Sequence, residues 1–269
     1  MPTSISVSAS PQPTPTTSTT SSSRLPRATG EPQLTKAEQR ILDDLLERCE
    51  RRFDESVFFR RLSAGAITTE ALRYIFEQYG HFRVQLHRWF AVCIILAKDA
   101  SDPAQRQAIL ALADHIFTDL RDDHDRLFAE CLHHFGFPTG TLYVGCPSPA
   151  TSAYIESFLD DARAPAATWF EAVAALAGRE LSVALRNRRL LKSYFTARGV
   201  PGPTWITLHA ELEVDHFLDV LRPLISEHGA AATTLDPVRL AVARAFGRHA
   251  EYLDELLAEH ETEQRPSDK

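Results

Sequence analysis

Apolar residues in this chain recur every third or fourth position over long stretches, and nowhere do they alternate with polar ones as a half-buried strand requires. Thr35-Lys36-Ala37-Glu38 reads as a capping box, and behind it Ile41, Leu42, Leu45, Leu46, Cys49 and Phe53 keep one helical stripe. A second long helix is predicted from Thr68-Thr69-Glu70 through to Ala97, apolar over a wide face and broken between Asp99 and Pro103. Asp102 and Pro103 read as the N-cap and first turn of the next helix. The segment RDDHDRLFAECLHHFG follows and stops at Gly136, Pro138 and Gly140. Ser148-Pro149 opens another helix, and Pro165 opens one more that ends at Gly199, a C-cap. A helix through residues 205–221 runs to Gly229, and Asp236-Pro237 caps the last one, which ends near residue 260. No repeat of fixed spacing is present. The pattern predicts an all-α fold of about seven helices, a single-domain helical bundle over residues 34–262. Residues 1–33, rich in Ser, Thr and Pro, are expected to be a disordered tail, and 263–269 a polar C-terminal tail.

Composition narrows the function classes. The 269 residues carry a net charge of −7 and no Lys/Arg run interleaved with aromatics, so no nucleic-acid partner is expected. No apolar run reaches the length of a membrane span, so no membrane partner is expected either. The first residues lack the basic and apolar regions of a secretory signal, which makes a cytoplasmic location the expectation. Cys49, Cys93, Cys131 and Cys146 form no CxxC, and three of them sit in apolar helical patterns; they read as reduced thiols.

The stretch WITLHAELEVDHFLDVL, residues 205–221, carries the candidate chemistry. His209, Glu213 and His216 stand at i, i+4 and i+7, within about 60° of one another on a helix. Leu208, Leu212, Phe217 and Val220 fill the same or adjacent faces, so two imidazoles and a carboxylate are directed toward a core. Buried there without partners they would cost several kcal/mol, on the order of 2–7 kcal/mol for each polar group. A metal ion would partner all three, and mixed imidazole and carboxylate ligands suit iron, manganese or zinc. Two further stretches offer matching groups: Asp119-Leu-Arg-Asp-Asp-His124, and Glu180 on the small, apolar face of ALAGRELSVA.

In order, an acid, His124, Glu180 and then His209-x3-Glu213-x2-His216 resemble the ligand pattern of the haem-oxygenase-like dimetal oxidases and oxygenases, relatives in fold of the thiaminase-II-like proteins. RLSAGAITTEALRYIFEQYGHF and DDHDRLF are similar to segments of that family, and the resemblance covers roughly residues 53–222. It implies a haem-oxygenase-like helical bundle without haem. The metal ligands it implies are Asp119, His124, Glu180, His209, Glu213 and His216. Asp119 is the weak point: the family usually has Glu there, and Asp114, Asp122 and Asp123 are the alternatives. Some N-oxygenating members carry a further Glu on the early long helix, where this chain offers Glu77, His81 or His87. Asp215 and Asp123 are candidates to orient the imidazoles. The implied cofactor is Fe(II), two ions, with O2 as cosubstrate. The implied activity is that of a non-haem diiron oxygenase or oxidase acting on a small-molecule substrate, an amine or amino acid, by N-oxygenation or oxidative C–C cleavage. An external electron donor and a homodimer belong to the same expectation. Two other readings stand beside it. A thiaminase-like hydrolase would need a nucleophilic thiol, for which Cys93 and Cys131 are the candidates. A non-catalytic helical partner protein would need no metal.

Overall fold

The computed structural model describes residues 35–97, 101–163, 169–228 and 232–264, without the side chains of 37–38, 159–163, 224–228 and 232–235. The expectations for residues 1–33, and for most of 263–269, lie outside the described residues. Among those described, ten α-helices follow one another and no strand occurs. They are α1 (Lys36–Glu55), α2 (Val57–Ser63), α3 (Thr69–Arg83), α4 (Leu86–Leu96), α5 (Pro103–Arg121), α6 (His124–His134), α7 (Pro149–Arg163), α8 (Trp169–Leu190), α9 (Thr204–His228) and α10 (Ala232–Glu263). None of them is long and apolar enough to cross a membrane.

The local signals place most starts correctly. Thr68 Oγ1 accepts from the Ala71 amide, Asp102 Oδ1 from Ala104, and Ser148 Oγ from Thr151. The helix count exceeds the expected seven or so because the short α2 stands as a helix of its own and the predicted helix 68–97 is divided. The predicted helix 68–97 divides at Val84–Gln85, where no Gly or Pro warns of it; the Gln85 amide donates to Phe82 and its side chain to the His81 carbonyl. Another break, at Asp122–Asp123, puts Asp123 in the left-handed region at φ 54° and restarts the chain at His124. The last helix begins at Ala232, so Asp236-Pro237 does not open it and Pro237 lies inside α10. After Leu190 the chain passes through a π-helical turn, Leu191–Phe195, and a 3₁₀ turn before Gly199 ends it at φ 67°.

The bundle is built around α8. From Ala172 to Asn187 every residue of α8 is buried, with α9 along one side and α10 along the other. Its contact with α3 is antiparallel: the Arg179 guanidinium lies over Phe82, and that of Arg186 over Tyr79 and Phe76. Gly178 sets the approach of α10. A Cβ there would stand 2.9 Å from the Val242 Cα and from its carbonyl oxygen, both rigid backbone atoms. Aromatic stacks fill the space beyond, such as Phe53 on Phe59 and Tyr154 on Tyr252.

These contacts separate two helical glycines. Gly178→Ala should destabilise the fold by about 1–3 kcal/mol through overpacking. Gly247→Ala should be neutral or stabilising by up to about 1 kcal/mol, since its new methyl would meet only the flexible Arg52 side chain at 3.5 Å. Urea unfolding of the two variants beside the parent chain measures the contrast.

Candidate metal centre

Four helices, α5, α6, α8 and α9, bring ionisable side chains to one buried point. α9 presents His209, Glu213 and His216 on one face, α8 contributes Glu180, and the α5–α6 junction contributes Asp119 and His124. The junction also contributes His115, one turn before Asp119 on the same face of α5. All but Asp119 and His216 are buried, and those two are nearly so.

The groups form two adjoining lobes. In the first, one atom each of His115, Glu180, Glu213 and His216 lie within 4.8 Å of one another. The His115 and His216 rings are 3.8 Å apart. In the second, Asp119 Oδ1 stands 2.6 Å from His124 Nδ1, and the His124 ring is 5.0 Å from that of His209. Glu213 joins the lobes: its Oε2 lies 3.1 Å from His216 Nδ1, and its Oε1 faces His209 Nε2 at 3.9 Å. The structure therefore gathers all six residues that the resemblance singled out and adds a seventh, His115. Of the alternative acids, Asp114, Asp122 and Asp123 are exposed, the last two paired with Arg121 and Arg126. Asp123 thus does not orient an imidazole. His209 is instead held by the Trp205 carbonyl, 2.7 Å from Nδ1, which fixes the tautomer whose Nε2 faces Glu213. His87 is exposed on the rim of a hollow beside Asp119, and His81 is tied to the Val144 carbonyl. Glu77 lines a separate groove between α3 and α10.

Burial dominates the electrostatics. It pushes His115 and His209 well below the ordinary imidazole range, and the neighbouring His216 and His124 rings add to the fall. Both imidazoles are therefore neutral at pH 7. Burial also opposes ionisation of Asp119, but His124, His115 and Arg83 outweigh it and hold the carboxyl well below its usual range. Burial raises Glu180 well above that range, against the pull of Arg179, which pairs with its Oε1, while the adjacent Glu213 carboxyl adds to the rise. Glu213 is raised for the same first reason. Glu180 Oε2 and His115 Nδ1 are enclosed without a hydrogen-bond partner.

Neutral imidazoles, crowded carboxyls and an orphaned carboxylate oxygen are the donor set a divalent cation satisfies, and mixed N/O ligation suits iron, manganese or zinc. The residues present thus fit a metal ion. His115, Glu180, Glu213 and His216 would hold one, and Asp119, His124 and His209, with the second oxygen of Glu213, a second.

The all-helical bundle has a haem-oxygenase-like fold, as comparison with solved structures shows. A domain of unknown function with a heme oxygenase-like fold from Shewanella denitrificans is 14% identical over 86% of this chain and 96% of its own, with a TM-score of 0.66. A TenA family transcription regulator from Silicibacter is 16% identical over 82% and 96%, with a TM-score of 0.60. A TenA homologue from P. horikoshii is 17% identical over 82% and 97%, at 0.55. No curated protein matches the sequence. The family model described as TENA/THI-4/PQQC matches residues 57–255, and the chain belongs to that family.

Metal uptake should release a proton at pH 7, because Glu180, which burial and the adjacent Glu213 hold well above the ordinary carboxyl range, must ionise while His115 and His209 are already neutral. Affinity should then weaken as pH falls, by up to about tenfold per unit while one proton is displaced. Calorimetry of Mn(II) binding in buffers of different ionisation enthalpy counts the proton, and Glu180→Gln should abolish its release.

Proposed function

We propose that the chain is an O2-dependent non-haem iron oxidoreductase with a two-iron centre, acting on a small amine or amino acid. The observation that carries this reading is Glu213, whose two carboxylate oxygens face imidazoles of different lobes. A carboxylate so placed can serve two metal ions at once. Bound iron would supply the O2 activation that open, mixed N/O coordination permits.

The chain's own residues would do the rest. Trp205 holds His209 through its carbonyl and stacks on the ring at 4.4 Å, and Phe90 packs against His115 at 4.5 Å, so an aromatic ring shields one side of each imidazole. Arg179 offsets the charge of Glu180, and Arg83 Nη2 stands 3.6 Å from Asp119. A hollow of about 170 Å³ between α3, α4 and α5 reaches Asp119 and Arg83. A second of about 300 Å³ reaches His115 and His216. These volumes lie at or below the roughly 300–1,000 Å³ of sites for drug-sized ligands, which suits a small metabolite. N-oxygenation and C–C cleavage both fit this site, which is that of an enzyme working in a reducing compartment such as the cytoplasm.

A thiol-based, thiaminase-like hydrolase is the second reading, favoured by membership of the family and by the TenA names among its structural neighbours. The cysteines argue against it. Cys93 and Cys131 are both buried; burial pushes the Cys93 thiol up to about 12 and Cys131 also upward, so neither offers a thiolate at pH 7.

Anaerobic Fe(II) addition should load two equivalents per chain, and admitted O2 should be consumed when amines or amino acids are supplied. His115→Ala and Glu213→Ala should each cut the iron content and the O2 uptake. Iron below one equivalent with no O2 consumed would exclude the oxidoreductase. Cys93→Ala and Cys131→Ala should keep O2 uptake near that of the parent; release of a thiamin-like pyrimidine that either change abolishes would establish the hydrolase.

A further inference from the structure

Arg186 is the one guanidinium at the centre of the bundle that lacks an acid among the described residues. It lies on α8 two turns beyond Arg179 and is 2% exposed. Arg83, Arg179 and Arg189 each meet a carboxylate. Arg186 bonds only a neutral group, donating from Nε and Nη2 to Asn187 Oδ1 at 3.1 and 3.0 Å. A buried charge without a counter-charge is costly, and chains rarely keep one that does no work.

Its surroundings share one deficiency. The Arg186 guanidinium carbon stands 4.4 Å from the Tyr79 ring centre and 5.7 Å from that of Trp205. Tyr79 Oη, Asn187 Nδ2 and Trp205 Nε1 are all enclosed, and none has a hydrogen-bond partner. The indole, the amide nitrogen and the guanidinium can only donate, and the phenol can donate. This point in the core therefore holds at least four donor groups and wants acceptors and negative charge. A water molecule would bring two more donors to be satisfied. A carboxylate brings acceptors only, supplies the missing charge, and matches the fork of a guanidinium. Phe76, Phe128 and Tyr79 surround the Trp205 ring, so whatever carries the acid meets an aromatic wall.

The place is also informative. Trp205, part of this cluster, is also stacked on His209 of the candidate metal centre. We propose that Arg186, Tyr79, Asn187 and Trp205 form an anchoring site for the carboxylate of a small organic acid with an apolar body. As a statement about substrate this rests on the oxidoreductase reading above: the molecule oxidised would be an amino acid or other monocarboxylic acid, not a simple amine. As a statement about binding it does not need iron.

The test uses the full-length, metal-free protein with butyrate and phenylacetate as probes, and butyramide and phenylacetamide as their uncharged counterparts. The carboxylates should raise the melting temperature and change the intrinsic tryptophan fluorescence, and the amides should do neither. Arg186→Met should abolish the response and leave the melting temperature of the unliganded protein equal or higher, because it removes an unpaired buried charge. Arg186→Lys, which keeps the charge but not the fork, and Tyr79→Phe should each weaken probe binding about tenfold. Equal responses to acids and amides, or none to either, would overturn the site, as would a response that survives in Arg186→Met. Iron content is measured alongside. Iron bound with no preference for acids would leave the oxidoreductase standing and remove the anchor. A preference for acids in a chain that takes up no iron would do the reverse.

Discussion

Charge in a dry interior is the constraint that shapes this molecule. Arg83, Arg179, Glu180, Arg186 and Glu213 are buried, with Asp119 nearly so, and each would be costly to place there alone. Breaking a buried pair by removing one partner costs about 3–5 kcal/mol, because the survivor stays behind uncompensated. The helices can therefore pack only in arrangements that bring these groups to one another. Arg179 must reach Glu180, Arg83 must reach Asp119, and Glu213 must reach both imidazole sets. α8 carries the heaviest load, with two guanidiniums, a carboxylate and an amide buried along it, and it accepts α10 closely only because residue 178 has no side chain.

The backbone is arranged to the same end. α9 needs no distortion to present His209, Glu213 and His216, since an ordinary helix aligns them. The α5–α6 junction does need one. Asp119 and His124 would sit about 140° apart on a continuous helix, yet their side chains meet at 2.6 Å. The chain achieves this by leaving the helix at Asp122 and passing Asp123 through a left-handed conformation, which an aspartate adopts more readily than most residues. His124 is thereby turned inward as the first residue of α6, while the acidic pair at the turn remains in solvent beside Arg121 and Arg126.

What could be read in advance follows the same division. The all-helical class, the caps at Thr68, Asp102 and Ser148, and the stripe on α9 are local, and they were legible in the residues alone. The resemblance named Asp119 and left Asp114, Asp122 and Asp123 as alternatives; the fold turns only Asp119 inward and leaves the other three exposed. His115 was missed, although its signal was present: it stands four residues before Asp119 and shares its helical face. The break at Val84–Gln85 carried no Gly or Pro and was not legible. Nor was the grouping of Arg186 with Tyr79 and Trp205, because those residues lie on three helices, and only packing shows that the cation lacks an acid.

The distribution of unsatisfied atoms then separates two kinds of incompleteness in one core. Around Glu213 the unsatisfied groups are ones a cation can take up, an orphaned carboxylate oxygen and an orphaned imidazole nitrogen among crowded carboxyls that burial pushes toward neutrality. Around Arg186 the surplus is of donors. Trp205 touches both, its ring stacked on His209 and 5.7 Å from the Arg186 guanidinium carbon, and its carbonyl is already committed to His209. Metal-binding groups at one point of the core and unpaired donors at another are what an interior needs if it is to receive a cation at the first and an anion at the second.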